Sequence, residues 1–278
     1  MSDKIDRQDL QRRVESISAL PTVPATLRRI SAMLEKPRIG LDELSRLISD
    51  DPALTTKILK MVNSAAYGFP GRISSVSHAT MLLGLNVIKG LLLGVSVFEL
   101  MEKTILGLWE HSLACTAAAR LIAQKKGLKE PEEVSICGLL HDIGKAVLML
   151  QYPEAFEKAM QDAEDEGGTI YETEGRYFMA SHAEIGQWLL QKWHFPPGLI
   201  DVIRYHHQPD LSQQSSMETA IVHVADILVR AKGIGYAGDS AVPAVCPAAW
   251  KIVNLSENDI QDTLFLLEEG LAATREAS

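Results

Sequence analysis

At 278 residues with 46% hydrophobic side chains, the chain is long enough for one large domain or two modest ones, with ample material for a packed core. A formal charge of -9 argues against a generic polyanion binder, which needs clustered Lys and Arg, so nucleic acid is not an expected partner. Three cysteines, Cys115, Cys137 and Cys246, share no CxxC spacing, which argues against a disulfide framework and a thiolate zinc site and favours a reducing cytoplasm.

The opening MSDKIDRQDL is charged and lacks the apolar run of a secretory signal, so a cytoplasmic location is expected. Apolar residues then recur at helical spacing through Leu27, Ile30 and Leu34, through Leu41, Leu44, Leu47 and Ile48, and through Leu54, Ile58, Leu59 and Val62. Pro21, Pro24, the Asp51-Pro52 pair and Gly68 through Gly71 punctuate these helices. The turn-rich stretch 63–75 reads as a simple connection rather than a binding loop. The most apolar region, 80–101, is broken by Lys89 and Glu99, and no charge-free piece approaches the ~20 residues needed to cross a bilayer. It reads as buried helix, and no membrane partner is expected.

The helical pattern continues through WEHSLACTAAARLIA (109–123), GLLHDIGKAVL (138–148), Ile185, Trp188 and Leu189, and Ile221, Ala225 and Leu228. Gly127 with Pro131, Gly167-Gly168 and Pro196-Pro197 separate these segments. Residues 233–250 form an irregular excursion, and a last helix opens at Ser256-Glu257-Asn258-Asp259 with Leu264, Leu267 and Leu271 on one side, docked on the body by default. Strand alternation is absent, so the chain is expected to be all-α. Of eight histidines only His78 precedes residue 105, which suggests a helical lobe over 1–105 packed on a second lobe over 106–278 that carries the chemistry.

Seven polar residues fall on apolar helical faces or beside them: His111, His141, Asp142, His182, His206, His207 and Asp226. Each has an ordinary explanation alone. A lone His is usually hydrogen-bonded core, Asp226 has Arg230 four residues on, and His206-His207 end a helix before Pro209. Together they are costly, because an unpaired buried polar group costs roughly 1–3 kcal/mol and a buried carboxylate more.

A divalent ion supplies a common reason, and imidazole with carboxylate suits iron, manganese, zinc or nickel. Adjacent helical residues diverge by about 100°, so His141 and Asp142 share one ion across its coordination sphere or Asp142 bridges two. Seven ligands exceed one ion's usual need, so one or two ions are expected, the second resting chiefly on His182, His206 and His207. A hydrogen-bonded polar cluster with no ion is the remaining alternative.

The order His111, His141-Asp142, Asp226 resembles the HD superfamily of metal-dependent phosphohydrolases, and His182 with His206-His207 resembles the extended ligand set of its HD-GYP branch. That resemblance implies His111, His141, Asp142 and Asp226 at a first metal position, the other histidines at a second, Asp142 between them and Lys145 as a phosphate-contacting residue. The broader likeness is to the HDOD family of signalling output domains, carried by LPTVPATLRRI (20–30), DDPALTTKILKMVNSAAYG (50–68), the helix ending at Leu83-Gly84, WEHSLACTAAARL, GLLHDIGK and SHAEIGQWLLQKWHFPPGLIDVIRYHHQP (181–209). HDOD domains are generally regarded as non-enzymatic, and many have lost the ligands that this chain keeps. After His206-His207 it has Gln-Pro-Asp and no Gly-Tyr-Pro segment.

The resemblance therefore implies a regulatory domain with a retained metal site, acting on a signalling protein or a small phosphorylated ligand. The alternative is a phosphohydrolase in which a metal-bound hydroxide attacks phosphorus, Asp142 holds the metal and Lys145 stabilises developing charge. For Lys145 a plain surface charge is an equal reading.

Overall fold

The structure is a computed structural model that describes residues 4–17, 25–36, 39–64, 67 and 73–276. Pro21, Pro24, Gly68 through Gly71 and most of the 63–75 connection lie outside the described residues, as do the side chains of Leu27 and Leu271.

The described chain is all-α. Its helices are α1 (Arg7–Glu15), α2 (Ala25–Leu34), α3 (Leu41–Ser49), α4 (Pro52–Val62), α5 (Val76–Thr104), α6 (Leu108–Lys125), α7 (Pro131–Leu140) and α8 (Ile143–Gln151). There follow α9 (Pro153–Glu166), α10 (Ile170–Thr173), α11 (His182–Lys192), α12 (Pro197–Tyr205), α13 (Ser216–Ala231), α14 (Pro247–Val253) and α15 (Glu257–Glu276). Among the described residues there is no sheet, only an isolated bridge between Ile5 and Phe178.

Helix starts follow local chemistry. Asp51 caps α4, accepting from the backbone N–H groups of Ala53 and Leu54 at 3.1 Å, with Pro52 at the first helical position, where its missing N–H costs nothing. Reciprocal capping by Thr169 and Glu172 opens α10, and by Ser181 and Glu184 opens α11, which fixes His182 as the first residue of its helix.

Helix α5 is largely apolar because it packs against α2, α3, α4, α7 and α8, although Met81 and Leu82 remain exposed. Its stretch Val76–Val97 is long and apolar enough to cross a membrane by composition, yet 72% of that window is buried inside the protein. The expected stop at Leu83-Gly84 is a break within α5, where Gly84 adopts φ 75° and ψ 173°, a conformation that side chains disfavour.

Contacts tie the first hundred residues to the rest. Lys89 of α5 donates to the carbonyls of Trp193 and His194 at 3.2 and 3.1 Å, and the Trp193 indole donates to Ser31 Oγ at 2.7 Å. Helix α1 packs on α11, with Arg7 paired to Glu184 at 2.7 Å. Helix α15 docks on α6, burying Leu267 and pairing Lys125 with Asp259 and Asp262.

Candidate metal centre

Five segments from between residues 108 and 231 converge in the interior. His111 comes from α6, the doublet from the junction of α7 and α8, His182 from the start of α11, His206 and His207 from the end of α12, and Asp226 from the middle of α13. The doublet is not mid-helix as its apolar flanks suggest. The chain leaves helical geometry at Asp142, with φ -98° and ψ 10°, and the two side chains meet, His141 Nε2 standing 3.2 Å from Asp142 Oδ2.

Two glycines of the same motif allow the approach. A Cβ at Gly138 would lie 2.6 Å from the Cys115 carbonyl oxygen, and one at Gly144 would lie 1.9 Å from that of His182. Backbone meets backbone at both positions, so α7 reaches α6 and α8 reaches α11 only because no side chain intervenes.

All seven expected residues are brought together, in two groups. In the first, His111 Nε2 stands 3.1 Å from Asp226 Oδ1 and 3.5 Å from Cys115 Sγ, and His141 Nε2 stands 3.9 Å from Asp226 Oδ1. In the second, His182 Nε2 stands 2.9 Å from His207 Nε2 and 3.3 Å from Asp142 Oδ1, with His206 Nε2 3.8 Å from the same oxygen. Asp142 lies between the groups, its Oδ2 turned to His141 and, at 3.8 Å, to His111. Within each group the donor atoms all lie within 4.8 Å of one another. Two ligands ~2.1 Å from one ion and about 90° apart are separated by about 3 Å, close to the shorter spacings found here.

Orientation is the stronger sign. His141 Nδ1 lies 2.8 Å from the Gly138 carbonyl, His206 Nδ1 2.8 Å from the Ile203 carbonyl, and His182 Nδ1 3.0 Å from both oxygens of Glu174. An acceptor at Nδ1 places the proton there and leaves the Nε2 lone pair facing inward, as in histidines that bind metals. Three buried atoms of this set, His141 Nε2, His206 Nε2 and Asp142 Oδ1, have no hydrogen-bond partner. Orphaned acceptors buried inside the two groups fit cations and fit a purely hydrogen-bonded cluster poorly.

The electrostatics agree. Burial alone would raise the Asp142 carboxyl, but His141 and the Lys145 ammonium hold it well below the usual carboxylate range. Burial would likewise raise Asp226, and Arg230, whose Nε lies 2.9 Å from Oδ1, with His111 outweighs it. His206 and His207 are pushed well down by burial and by neighbouring imidazoles, and His111 is lowered by burial despite Asp226. For His182, burial is the largest influence and lowers the value, but Glu174 and Asp142 together raise it above the ordinary one. Ionised carboxylates and mostly neutral imidazoles are the states in which these groups bind a metal. Burial also raises the Cys115 thiol, so a free thiolate is disfavoured there. Among the described residues, Asp142 pairs with Lys145, Asp226 and Asp239 share the largely buried Arg230, and Glu174 pairs with His182.

Lys145 is fully buried, which corrects the surface-charge reading. Its ammonium donates to Asp142 Oδ2 at 2.7 Å and to the Ala237 carbonyl at 2.8 Å, so it neutralises the central carboxylate. The sequence reading also missed several supports. Cys115 adds a sulfur donor to the first group, Glu174 orients His182, and Asp239 accepts from Arg230 at 2.8 Å and from the Ile170 N–H at 2.9 Å. Tyr171 stacks on His207, ring centroids 4.3 Å apart, on the half-exposed side of the second group.

The family model of the HDOD domain matches residues 20–209. The chain belongs to the HDOD family. The HDOD match stops short of Asp226, which α13 supplies from beyond it. An uncharacterized protein of Treponema pallidum (strain Nichols) is 30% identical over 221 residues, 78% of this chain and 43% of that protein, so the chain spans less than half the length of this curated relative. Among solved structures, an HDOD domain protein of unknown function from Geobacter sulfurreducens is 26% identical with a TM-score of 0.68, covering 97% of both chains. A Shewanella amazonensis protein provisionally named a phosphohydrolase shares the fold at 20% identity and a TM-score of 0.60, over 92% of this chain and 97% of that one.

Proposed function

We propose that this HDOD chain is a regulatory domain built around a closed centre of one or two divalent ions, which serve structure or sensing. The observation that carries this reading is the set of inward-facing acceptors without partners, His141 Nε2, His206 Nε2 and Asp142 Oδ1. Closure supports a role without turnover. His111, His141, Asp142, His182, His206 and Asp226 are each at most 2% exposed, and His207 lies under Tyr171. His111, His141 and Asp226 would hold the first ion, and His182, His206, His207 and Asp142, through Oδ1, the second. When bound, the metal supplies a positive charge that fixes these five segments relative to one another. In this reading residues 106–278 carry the centre, residues 1–105 form the lobe packed on it, and a cytoplasmic signalling partner or a small phosphorylated ligand is the counterpart.

The test is metal content and melting temperature of the purified wild type and His141→Ala. Bound iron, manganese, zinc or nickel in the wild type, with loss of metal and a lower Tm in the variant, is expected. A metal-free wild type with an unchanged Tm in the variant would remove the reading.

The second reading, a metal-dependent phosphohydrolase, is favoured by the Asp142 carboxylate facing both groups, the arrangement of a bridged two-ion site. Against it, Lys145 is spent on Asp142 and Ala237 rather than turned towards a substrate. Hydrolysis of generic phosphodiesters by metal-loaded protein, abolished in Asp142→Asn, would establish the enzyme, whereas inactivity with each of several metals would exclude it.

A further inference from the structure

We propose that Cys115 is a ligand of the ion held by His111, His141 and Asp226, giving one position of the centre a sulfur donor and a preference for zinc, cobalt(II) or iron(II) over manganese and magnesium. The inference rests on the reading that these groups hold metal, and it adds the identity of the fourth donor and the class of ion.

Cys115 follows His111 by one helical turn and shares its face of α6. Its sulfur is fully buried and lies within 4.8 Å of each of the other three donor atoms. For a tetrahedral ion with a nitrogen at ~2.05 Å and a sulfur at ~2.3 Å, the two donors are separated by about 3.5 Å. The His111 Nε2 to Cys115 Sγ distance is 3.5 Å. The close approach at Gly138 is made against the Cys115 backbone itself, so the device that brings the doublet to α6 also delivers this residue to His141.

The other oxygen near His111 and His141, Asp142 Oδ2, already accepts from Lys145 at 2.7 Å. Asp226 Oδ1 likewise accepts from Arg230, at 2.9 Å, but stands 3.1 Å from His111 Nε2, whereas Asp142 Oδ2 is 3.8 Å away and Cys115 Sγ, at 3.5 Å, is the nearer fourth donor. Two imidazoles, a carboxylate and a thiolate form a closed four-coordinate set. Soft sulfur favours zinc, cobalt(II) or iron(II), while manganese and magnesium prefer oxygen. On coordination the S–H bond breaks, its electron pair forms the sulfur–metal bond, and the proton leaves to solvent, with no change of oxidation state.

The test uses the full chain, stripped with a chelator and titrated with cobalt(II). An intense thiolate-to-cobalt charge-transfer band in the near ultraviolet is expected beside the visible bands of bound cobalt. Cys115→Ser should lose the charge-transfer band, keep visible bands and bind cobalt at least about tenfold more weakly. Should that variant fail to fold, a chain carrying Cys137→Ala and Cys246→Ala retains Cys115 as its sole thiol, and the band must persist in it. Cobalt bound with visible bands but no charge transfer overturns the sulfur ligand and leaves the metal centre standing, as does a band that survives Cys115→Ser. No binding of cobalt, zinc or iron overturns both.

Discussion

Glu174 holds His182 at three points: its two carboxylate oxygens each stand 3.0 Å from Nδ1, and Oε1 also accepts the His182 backbone N–H at 3.1 Å. The carboxylate fixes both the ring's direction and its proton. Removing it in Glu174→Ala should weaken metal affinity about 10–100-fold, with Glu174→Gln intermediate because its carbonyl still accepts from Nδ1. Competition against a chromogenic chelator measures this, and equal affinity in wild type and Glu174→Ala would remove Glu174 from the centre.

Gly144→Ala should disable the site without touching a ligand. The added methyl would stand 1.9 Å from the His182 carbonyl, a backbone atom that moves only if α8 and α11 separate. Overpacking of this kind costs about 1–3 kcal/mol or more, and here it also parts Asp142 from His182. A lower Tm together with lost metal stoichiometry is expected, and full metal occupancy in the variant would show that the helices can part without breaking the centre.

Metal removal should lower thermal stability. An ion that binds only the native state at a free concentration of 100 times its Kd adds about 2.7 kcal/mol. For a chain of this size that corresponds to about 5–10 °C in Tm. Calorimetry before and after chelation, with re-addition of the ion, checks it, and a Tm insensitive to chelation would contradict the structural role.

Lys89 gives a prediction remote from the centre. Burial without an opposing carboxylate lowers it from the ordinary 10.5, so as pH rises the folded chain releases this proton before the unfolded chain does. Between the lowered value and 10.5 the unfolded state binds more protons, and the Lys89 contribution to stability rises with pH; below that window the desolvation penalty is present in full. Lys89→Met should cost about 1–3 kcal/mol at neutral pH, because it leaves the Trp193 and His194 carbonyls without their donor. Denaturant melts of both chains across the alkaline range should show the wild-type advantage growing with pH, and a flat difference would contradict the assignment.

The helices and the candidate ligand histidines were legible in the sequence because both rest on local pattern. An imidazole among Ala114, Cys115, Ala118 and Ile122 is out of place on an apolar face, and helical spacing alone reveals it. The supports are illegible for the opposite reason. Glu174 lies in YETEGRYF and Asp239 in AGDS, polar stretches in which a carboxylate reads as solvated, and only tertiary approach buries them at 0% and 4% exposure. Lys145 left two readings open because helical phase places it near Asp142 without saying how deep that face lies. Cys115 is equally quiet in the sequence: it has no CxxC partner, and only tertiary approach sets it beside His141 and Asp226.

The excursion between α13 and α14 has a consequence for how the molecule comes apart. Ala237 receives Lys145, while Asp239 receives Arg230 from one group and the Ile170 N–H beside Tyr171 from the other. A stretch that looks like spare length thus fastens the electrostatic partners of both candidate ligand groups to a single loop. An insertion or proteolytic nick near Asp239 should therefore loosen both groups together.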